Sequence, residues 1–592
     1  MSFRLRRTPQ TGLLILSVAS LLGVLVLAWA GADPTSPARN VFGPESFTRT
    51  PGATNVYTRS FTVPFYVAAP YTLHIENGQP DGKNRISSGT VSIGGIEIVH
   101  KSDFNQNVSV IDQTVTLATT NTLTVTLNSA PDSFITVTIA GVINLGRLNQ
   151  PRSGQTATVL TDGGFLITGG RNGSSLLSSA ERFDPLSLFF SPVTGSLTEA
   201  RSEQTATVLP DQTHLVVAGE GAGGILSLAE RFDPATGLFT DLSDTVRIPR
   251  SGHTATVLLD GRVLIAGGQG AAALGSTELF DAQSAILFKP PFDPKAGAFT
   301  LLPNALPIPR WDHTATLLPD GRVLITGGRN ESGYLNSAEL FDPAAERFGP
   351  LSAAMTTPRA GQTATLMSNG QVLLLGGLND AGVLSTGEWF DPAAGTFSAT
   401  PQNLLTPRAN HTATLLYFGE ILVTGGENNS GILDTAEFYG PPPADSTAPT
   451  VIQVGPSDGA SGVDLTEIVG VRFSEPVDVR TLNASNITLS GGGVIDSILS
   501  PSEQGLVVFV VPKTNLAPGT TYTLFLTSDV KDTAGNPLTP FSSRFTTVAA
   551  PVITSVTPNH GPAGTDVIIL GQNFDAAAPT KNAVKFNGIE AI

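Results

Sequence analysis

One block recurs six times between Pro151 and Tyr439, and its shared landmark, Thr-Ala-Thr, begins at positions 156, 205, 254, 314, 363 and 412. The spacings are 49, 49, 60, 49 and 49 residues. That length suits a unit of about four short strands and exceeds the helical solenoid periods, so the block is expected to build a ring of small sheets. Aligned, the copies give a composite, PRSGHTATLLPDGRVLITGGRN, then a loop, then SAELFDP, then an aromatic residue near a leucine. HTATLL and RVLIT read as strands joined by turns such as Asp260-Gly261 and Asp320-Gly321. SAELF is a third strand, and the runs around Phe239, Phe299, Phe348 and Phe397 supply a fourth. A double glycine ends the second strand, as at Gly169-Gly170 and Gly327-Gly328, where a side chain would obstruct a tight bend or a close backbone approach.

The rest of the chain agrees with an all-β reading. At 592 residues it divides into several domains, and 62 glycines, 43 prolines and 14% charged residues point to many strands and turns. A formal charge of −16 excludes a nucleic-acid partner, which a basic stripe would meet, and gives no attraction to anionic lipid. The absence of cysteine removes disulfides, thiolate metal sites, cysteine nucleophiles and an acylated Cys. Arg4, Arg6 and Arg7 precede an apolar run from Leu13 to Ala30 that ends in Ala28-Trp29-Ala30. Residues 1–32 therefore read as a signal peptide or membrane anchor, with the remainder exported to the cell surface or medium. Export without disulfides leans towards a bacterial source.

Charged residues recur with the block. Arg152, Arg201, Arg250, Arg310, Arg359 and Arg408 are followed 28 or 29 residues later by Glu181, Glu230, Glu278, Glu339, Glu388 and Glu437. One active site does not need six equivalent copies, so these read as structural ion pairs. His253, His313 and His411 share a position with Gln155, Gln204 and Gln362, which a metal site would not accept; no metal and no cofactor is expected. Function in a symmetric ring falls where copies depart from the consensus. Glu203 and Asp312 replace a glycine, Trp311 replaces a small residue, Glu220 is read at the second glycine, and His214 is read at an arginine position. These five are the candidate binding residues, and no catalytic residue is assigned. The third copy also carries extra residues near Ala282 to Asp293, read as a hairpin or lip.

The repeat landmarks resemble the kelch repeat across residues 151–439. The resemblance implies a six-bladed β-propeller at 146–440, each blade a four-stranded sheet around a channel. The sixth copy stops at Tyr439-Gly440 without an outer strand, and in kelch-like rings a strand from the other end closes the circle; Val137 to Leu145 is the candidate. Short alternating runs at 40–145, with a hairpin turn at Gly94-Gly95, indicate an N-terminal β-sandwich. A Pro-rich linker at 441–449 reads as an extended spacer. Beyond it, Arg472-Phe473-Ser474-Glu475-Pro476 with Asp532-Thr533-Ala534-Gly535-Asn536-Pro537 resembles the bacterial Ig-like domains of surface-layer proteins, at 450–548, and Glu475 and Asp532 read as turn residues. PVITSVTPNHGPAGTDVIILGQNF at 551–592 resembles the start of an IPT/TIG domain, and reads as truncated.

The expected function is that of an exported bacterial surface protein that binds a protein or glycan non-covalently through the propeller, with the Ig-like modules as a stalk. It is expected not to be an enzyme, and to meet a membrane only through an uncleaved N-terminal segment. Some kelch-like propellers are copper radical oxidases, whose tyrosine–cysteine crosslink this cysteine-free chain cannot form. Two alternatives stand: a propeller-based carbohydrate-active hydrolase or lyase using the pair Glu203 and Asp312, and a structural surface-layer component.

Overall fold

The computed structural model describes residues 38–282, 297–440, 445–557, 567–573, 585–586 and 589–590. The leader at 1–32, the extra residues of the third copy after Ala282, and Pro441 to Pro443 lie outside the described residues. Among the described residues all regular structure is strand, apart from short 3-10 turns.

Eight strands between Ala38 and Ile143 form two antiparallel four-stranded sheets. Their facing sides share one core: Ile135, Val137 and Ile139 of one sheet with Leu123, Val125 and Leu127 of the other, all fully buried. Gly94 and Gly95, both at positive φ, turn the hairpin between Gly89–Ile93 and Ile96–Val99. The strand Phe134–Ile143 is paired on both edges, with Ala38–Thr48 and Val67–Asn77. With neither edge free, the stretch Val137 to Leu145 does not complete the sixth sheet.

Six further sheets follow. In the first, the strands Thr156–Val159, Phe165–Thr168, Ser179–Asp184 and Phe189–Ser196 pair in chain order, all antiparallel. The next four sheets repeat that order, and the sixth has three strands, ending at Ala436–Tyr439. The innermost strands Thr156–Val159, Thr205–Val208, Thr254–Val257, Thr314–Leu317, Thr363–Leu366 and Thr412–Leu415 lie each against the next, and the last lies against the first. The sheets thus follow one another around one axis. The second strands, FLIT, HLVV, VLIA, VLIT, VLLL and ILVT, are buried at every position. Neighbouring sheets cover both faces, so hydrophobic alternation disappears.

The N-terminal sandwich covers the sixth sheet instead of extending it. Arg39 donates to the Gly440 carbonyl at 2.5 Å and pairs with the buried Glu420, which also accepts from the Tyr66 hydroxyl at 2.7 Å. Phe65 and Tyr66 pack on Phe418 with centroids 5.1 Å away, and Tyr66 on Phe438 at 5.3 Å.

Residues Val451 to Thr547 form a second sandwich of two four-stranded sheets. Its strand Val507–Pro512 is buried throughout. Val508 and Val510 face the sandwich core, while Val507, Phe509 and Val511 join the core of the six-sheet region. The module is therefore docked on the six-sheet region, and the expectation of a stalk held off by an extended spacer is corrected for residues 450–548. The physical cause is the doubly apolar strand, which has no stable solvent-facing side.

Candidate functional site

All six arginine–glutamate pairs form inside the six sheets. Arg152, Arg250, Arg310, Arg359 and Arg408 meet their glutamates at 2.6–2.9 Å, Arg201 pairs likewise with Glu230, and every arginine is fully buried. Each guanidinium also donates to the carbonyl that ends the second strand, as Arg310 does to Gly327 at 2.8 Å. The glutamates accept from the incoming chain, as Glu388 does from the Thr356 and Thr357 N–H groups. These groups are buried and tie each sheet to its entry segment. Gln204 donates to the Thr168 carbonyl of the preceding sheet at 2.8 Å, and His253 bonds Thr205 Oγ1 at 2.9 Å, so both residue types stitch sheet to sheet.

The departures from consensus lead to one end of the axis. Two residues ahead of each Thr-Ala-Thr stand Gly154, Glu203, Gly252, Asp312, Gly361 and Asn410, all at φ between 51° and 66°. Each N–H donates to the carbonyl of its counterpart in the preceding sheet: Glu203 to Gly154, Gly252 to Glu203, Asp312 to Gly252, Gly361 to Asp312 and Asn410 to Gly361, at 2.8–3.0 Å. Gly154 donating to Asn410 at 2.9 Å closes the circle. Glycine alternates with a polar side chain around it. A Cβ on Gly252 would overlap Asp312 Oδ1, and one on Gly361 would overlap Asn410 Oδ1, so each polar side chain lies across the glycine before it. The left-handed backbone costs about 1–2 kcal/mol at a residue such as Glu203, a strain the ring sustains.

A second tier surrounds this ring. Bridges Ser153 to Arg171, Trp311 to Arg329 and Ala409 to Glu427, with the strand pair Ser202 to Glu220, place those four charged residues beside it. Arg329 pairs with Asp312 at 3.0 Å and lies 5.3 Å over the Trp311 ring. Asn410 Nδ2 donates to Glu427 Oε1 at 2.8 Å, and Arg171 pairs with the same carboxylate at 3.0 Å. Burial first, then the charges of Asp312 and Glu220, push the Glu203 carboxyl up to about 7 against the pull of Arg171 and Arg329. Burial also raises Asp312, with Arg329 opposing it.

Glu203, Glu220, Trp311 and Asp312 thus come together, and His214 does not join them. It pairs with Val208 in register, bonds Thr158 Oγ1 at 2.6 Å and meets Phe232 edge-on. Burial pushes it down to about 4, so it is a neutral core residue. The strand register also corrects its column, since Val263 and Val323 hold the equivalent place. Glu220 likewise shifts by one: Ala218 and Gly219, both at positive φ, occupy the double-glycine positions, and Glu220 matches Arg171 and Arg329. Asn410, Arg171, Arg329 and Glu427 were missed, although Asn410 stands in the same column as Glu203 and Asp312.

The opposite end is stopped by the docked sandwich. The loop after Ser497–Ser502 enters between the innermost strands, where Glu503 accepts from the Val257 N–H at 2.8 Å and Gln504 from the Leu415 N–H at 2.9 Å. Ser500 and Ser502 donate to the Leu209 and Val208 carbonyls at 2.7 and 3.0 Å. The loop bounds a cavity of about 140 Å³ lined by Ala157, Ala206, Ala255, Thr207 and Thr414. Burial pushes Glu503 up to about 7. Away from the axis, Asp445, Glu475 and Asp532 gather in the docked sandwich.

Residues 445–547 match a bacterial Ig-like domain. Residues 551–591 match an IPT/TIG domain. Both modules are typical of bacterial extracellular and surface proteins. No curated protein matches the chain. One similar solved structure is a novel fungal alcohol oxidase with catalytic diversity among the AA5 family, in complex with copper, at 17% identity and TM-score 0.38, covering 70% of this chain and 88% of that one. That likeness carries no argument about chemistry. No helix among the described residues is long and apolar enough to cross a membrane.

Proposed function

We propose that the six sheets form a kelch-type six-bladed β-propeller, and that this exported bacterial protein uses the self-closed mouth of the propeller to bind a glycan without cleaving it. The observation that carries the reading is the concentration there of Glu203, Asp312, Asn410, Arg329 and Trp311 on the ring and beside it. Structural symmetry needs none of the departures at Glu203, Trp311, Asp312 and Asn410. Carboxylate, amide and guanidinium groups presented together match the paired donors and acceptors of sugar hydroxyls, and an aromatic face suits a sugar ring. A screen of surface polysaccharides against the whole chain tests this, with products followed by mass spectrometry. Saturable binding without products, weakened at least tenfold by Trp311→Ala and by Asp312→Asn, is the expected result. Binding that ignores both changes, or that occurs only with protein ligands or between copies of this chain, would remove the glycan reading.

A second reading has one observation in its favour. A Glu203 carboxyl held near 7 beside the Arg329-paired Asp312 is suited to donate a proton to a leaving group. Products that disappear in Glu203→Gln would assign a carbohydrate-active hydrolase or lyase.

A further inference from the structure

We infer that Asp445, Glu475 and Asp532 form a divalent-cation site of the calcium class at the root of the docked Ig-like module. The three come from separate segments. Asp445 precedes the strand Val451–Gly455, Glu475 follows Val469–Phe473, and Asp532 opens the turn that Asn536 closes. One carboxylate oxygen from each lies within 4.8 Å of the others. Oxygens sharing one calcium at its usual bond lengths stand no more than about 5 Å apart, so the separation fits a single ion.

The burial of Glu475 is the second observation. Its side chain is 3% exposed, and its Oε2, like Asp445 Oδ2, is buried with no hydrogen-bond partner. Among the described residues, no Lys, Arg or His pairs with any of the three; Arg480 nearby in sequence is taken by Asp478. A buried carboxyl group against two others must either keep a proton or be completed by a cation, and three oxygens this close suit the cation. The remaining oxygens are already oriented. Asp532 Oδ1 accepts from the Ala534 and Asn536 N–H groups and Oδ2 from Asn536 Nδ2, all at 2.8 Å, while Asp445 Oδ1 accepts from the Thr447 N–H at 2.9 Å. These bonds fix the two aspartates and leave Glu475 Oε2 and Asp445 Oδ2 for the ion. An all-oxygen, anionic set without His or Cys selects a hard cation, and calcium tolerates irregular geometry completed by water. The expectation of no metal rests on the missing cysteines and the histidine positions, and does not extend to calcium on carboxylates in loops.

Bound calcium clamps the residues leading out of the six-sheet region onto the module. The test uses the whole chain, stripped with chelator and titrated with calcium chloride, with magnesium chloride as the comparison. Isothermal titration is expected to give one calcium per chain with a dissociation constant of about 1 mM or tighter, the range of extracellular modules, and weaker magnesium binding. Thermal unfolding is expected to shift upwards with calcium. Glu475→Gln and Asp532→Asn are expected to abolish both signals. Glu475→Gln keeps the size of the side chain and adds no charge, so without calcium it stays folded with about the stability of the parent chain, which separates lost binding from lost folding. No saturable calcium uptake up to about 10 mM, or an unchanged response in Glu475→Gln, overturns the site.

Discussion

At one end of the axis Glu203 sits on a ring that the repeats close with their own backbone, and at the other Glu503 arrives on a loop lent by the Ig-like module. Both residues have left-handed φ, 55° and 47°, and burial pushes both up to about 7. The difference lies in how main-chain groups are satisfied. Where the inner strands begin, one left-handed residue per copy turns its N–H onto the neighbouring copy, so six copies satisfy one another. Where they end, the Val257 and Leu415 N–H groups and the Val208 and Leu209 carbonyls bond to the borrowed loop. Left unpaired and buried, each would cost about 1–3 kcal/mol. A symmetric ring can therefore seal one end alone, and this chain recruits an asymmetric partner for the other. Recruitment also accounts for drift in the second copy, whose turn residue Gln212 donates to the Leu499 carbonyl at 2.8 Å.

The comparison breaks most visibly at Gly505. It holds φ 91°, and a Cβ there would overlap the Val477 carbonyl oxygen, a backbone atom that cannot swing aside. Gly505→Val is expected to cost about 3 kcal/mol or more and to withdraw the loop. Gly361→Val at the self-closed mouth meets the Asn410 side chain first, which can swing aside, and the Asn410 backbone nitrogen only at 3.3 Å, so about half that loss is expected. Hydrogen exchange is the discriminating readout. In Gly505→Val the Val257 and Leu415 amides should lose protection while the Asp312 and Gly361 amides keep theirs. Equal loss at both ends would show that the mouths are not independent.

Much of this was written in the chain. The period, the Arg–Glu columns and the double glycines located six sheets because each repeats under the same packing constraint. The site was half legible: Glu203, Asp312 and Trp311 stood out against their columns, while Asn410 was passed over although it completes the same column. His214 and Glu220 were set one position off, because the second copy's Asp211-Gln212-Thr213 turn and Ala218 blur the landmarks that fix register. The closing strand was misplaced because alternation in Phe134–Ile143 marks a buried face and says nothing about free edges. Docking of the Ig-like module did leave a trace. Val507–Pro512 is apolar without alternation in an antiparallel sandwich, where one face ordinarily meets water.

A second test compares the two carboxyls by pH. Each has a folded-state value of about 7 against an ordinary 4.5, so the folded protein holds the proton more tightly. Their contribution to stability is full below about 4.5, declines as pH rises to about 7, and is level beyond. Thermal unfolding between pH 4.5 and 8 should show that decline, and Glu203→Gln and Glu503→Gln should each flatten it. The two effects should add, since the groups lie at opposite ends. Asp312→Asn removes a charge that raises Glu203 and none that raises Glu503, so it should shift only the Glu203 part of the curve. A shift that persists in the Glu203→Gln background and is lost in the Glu503→Gln background would place the coupling at the wrong mouth.

The smallest effect sharpens the comparison furthest. If backbone bonds close the upper mouth, Asn410→Gly keeps every one of them, suits φ 51° and loses only the side-chain bond to Glu427. The expected change in unfolding free energy is within about 0.5 kcal/mol. Gln504→Ala at the lower mouth removes the acceptor for the Leu415 N–H and should cost about 1–2 kcal/mol. Denaturant unfolding of both variants decides the matter, because each deletes one polar side chain beside the axis. A larger loss for Asn410→Gly would mean that side chains, not the amide circle, hold the upper mouth, and that the glycines at 252 and 361 serve that mouth by making room for them.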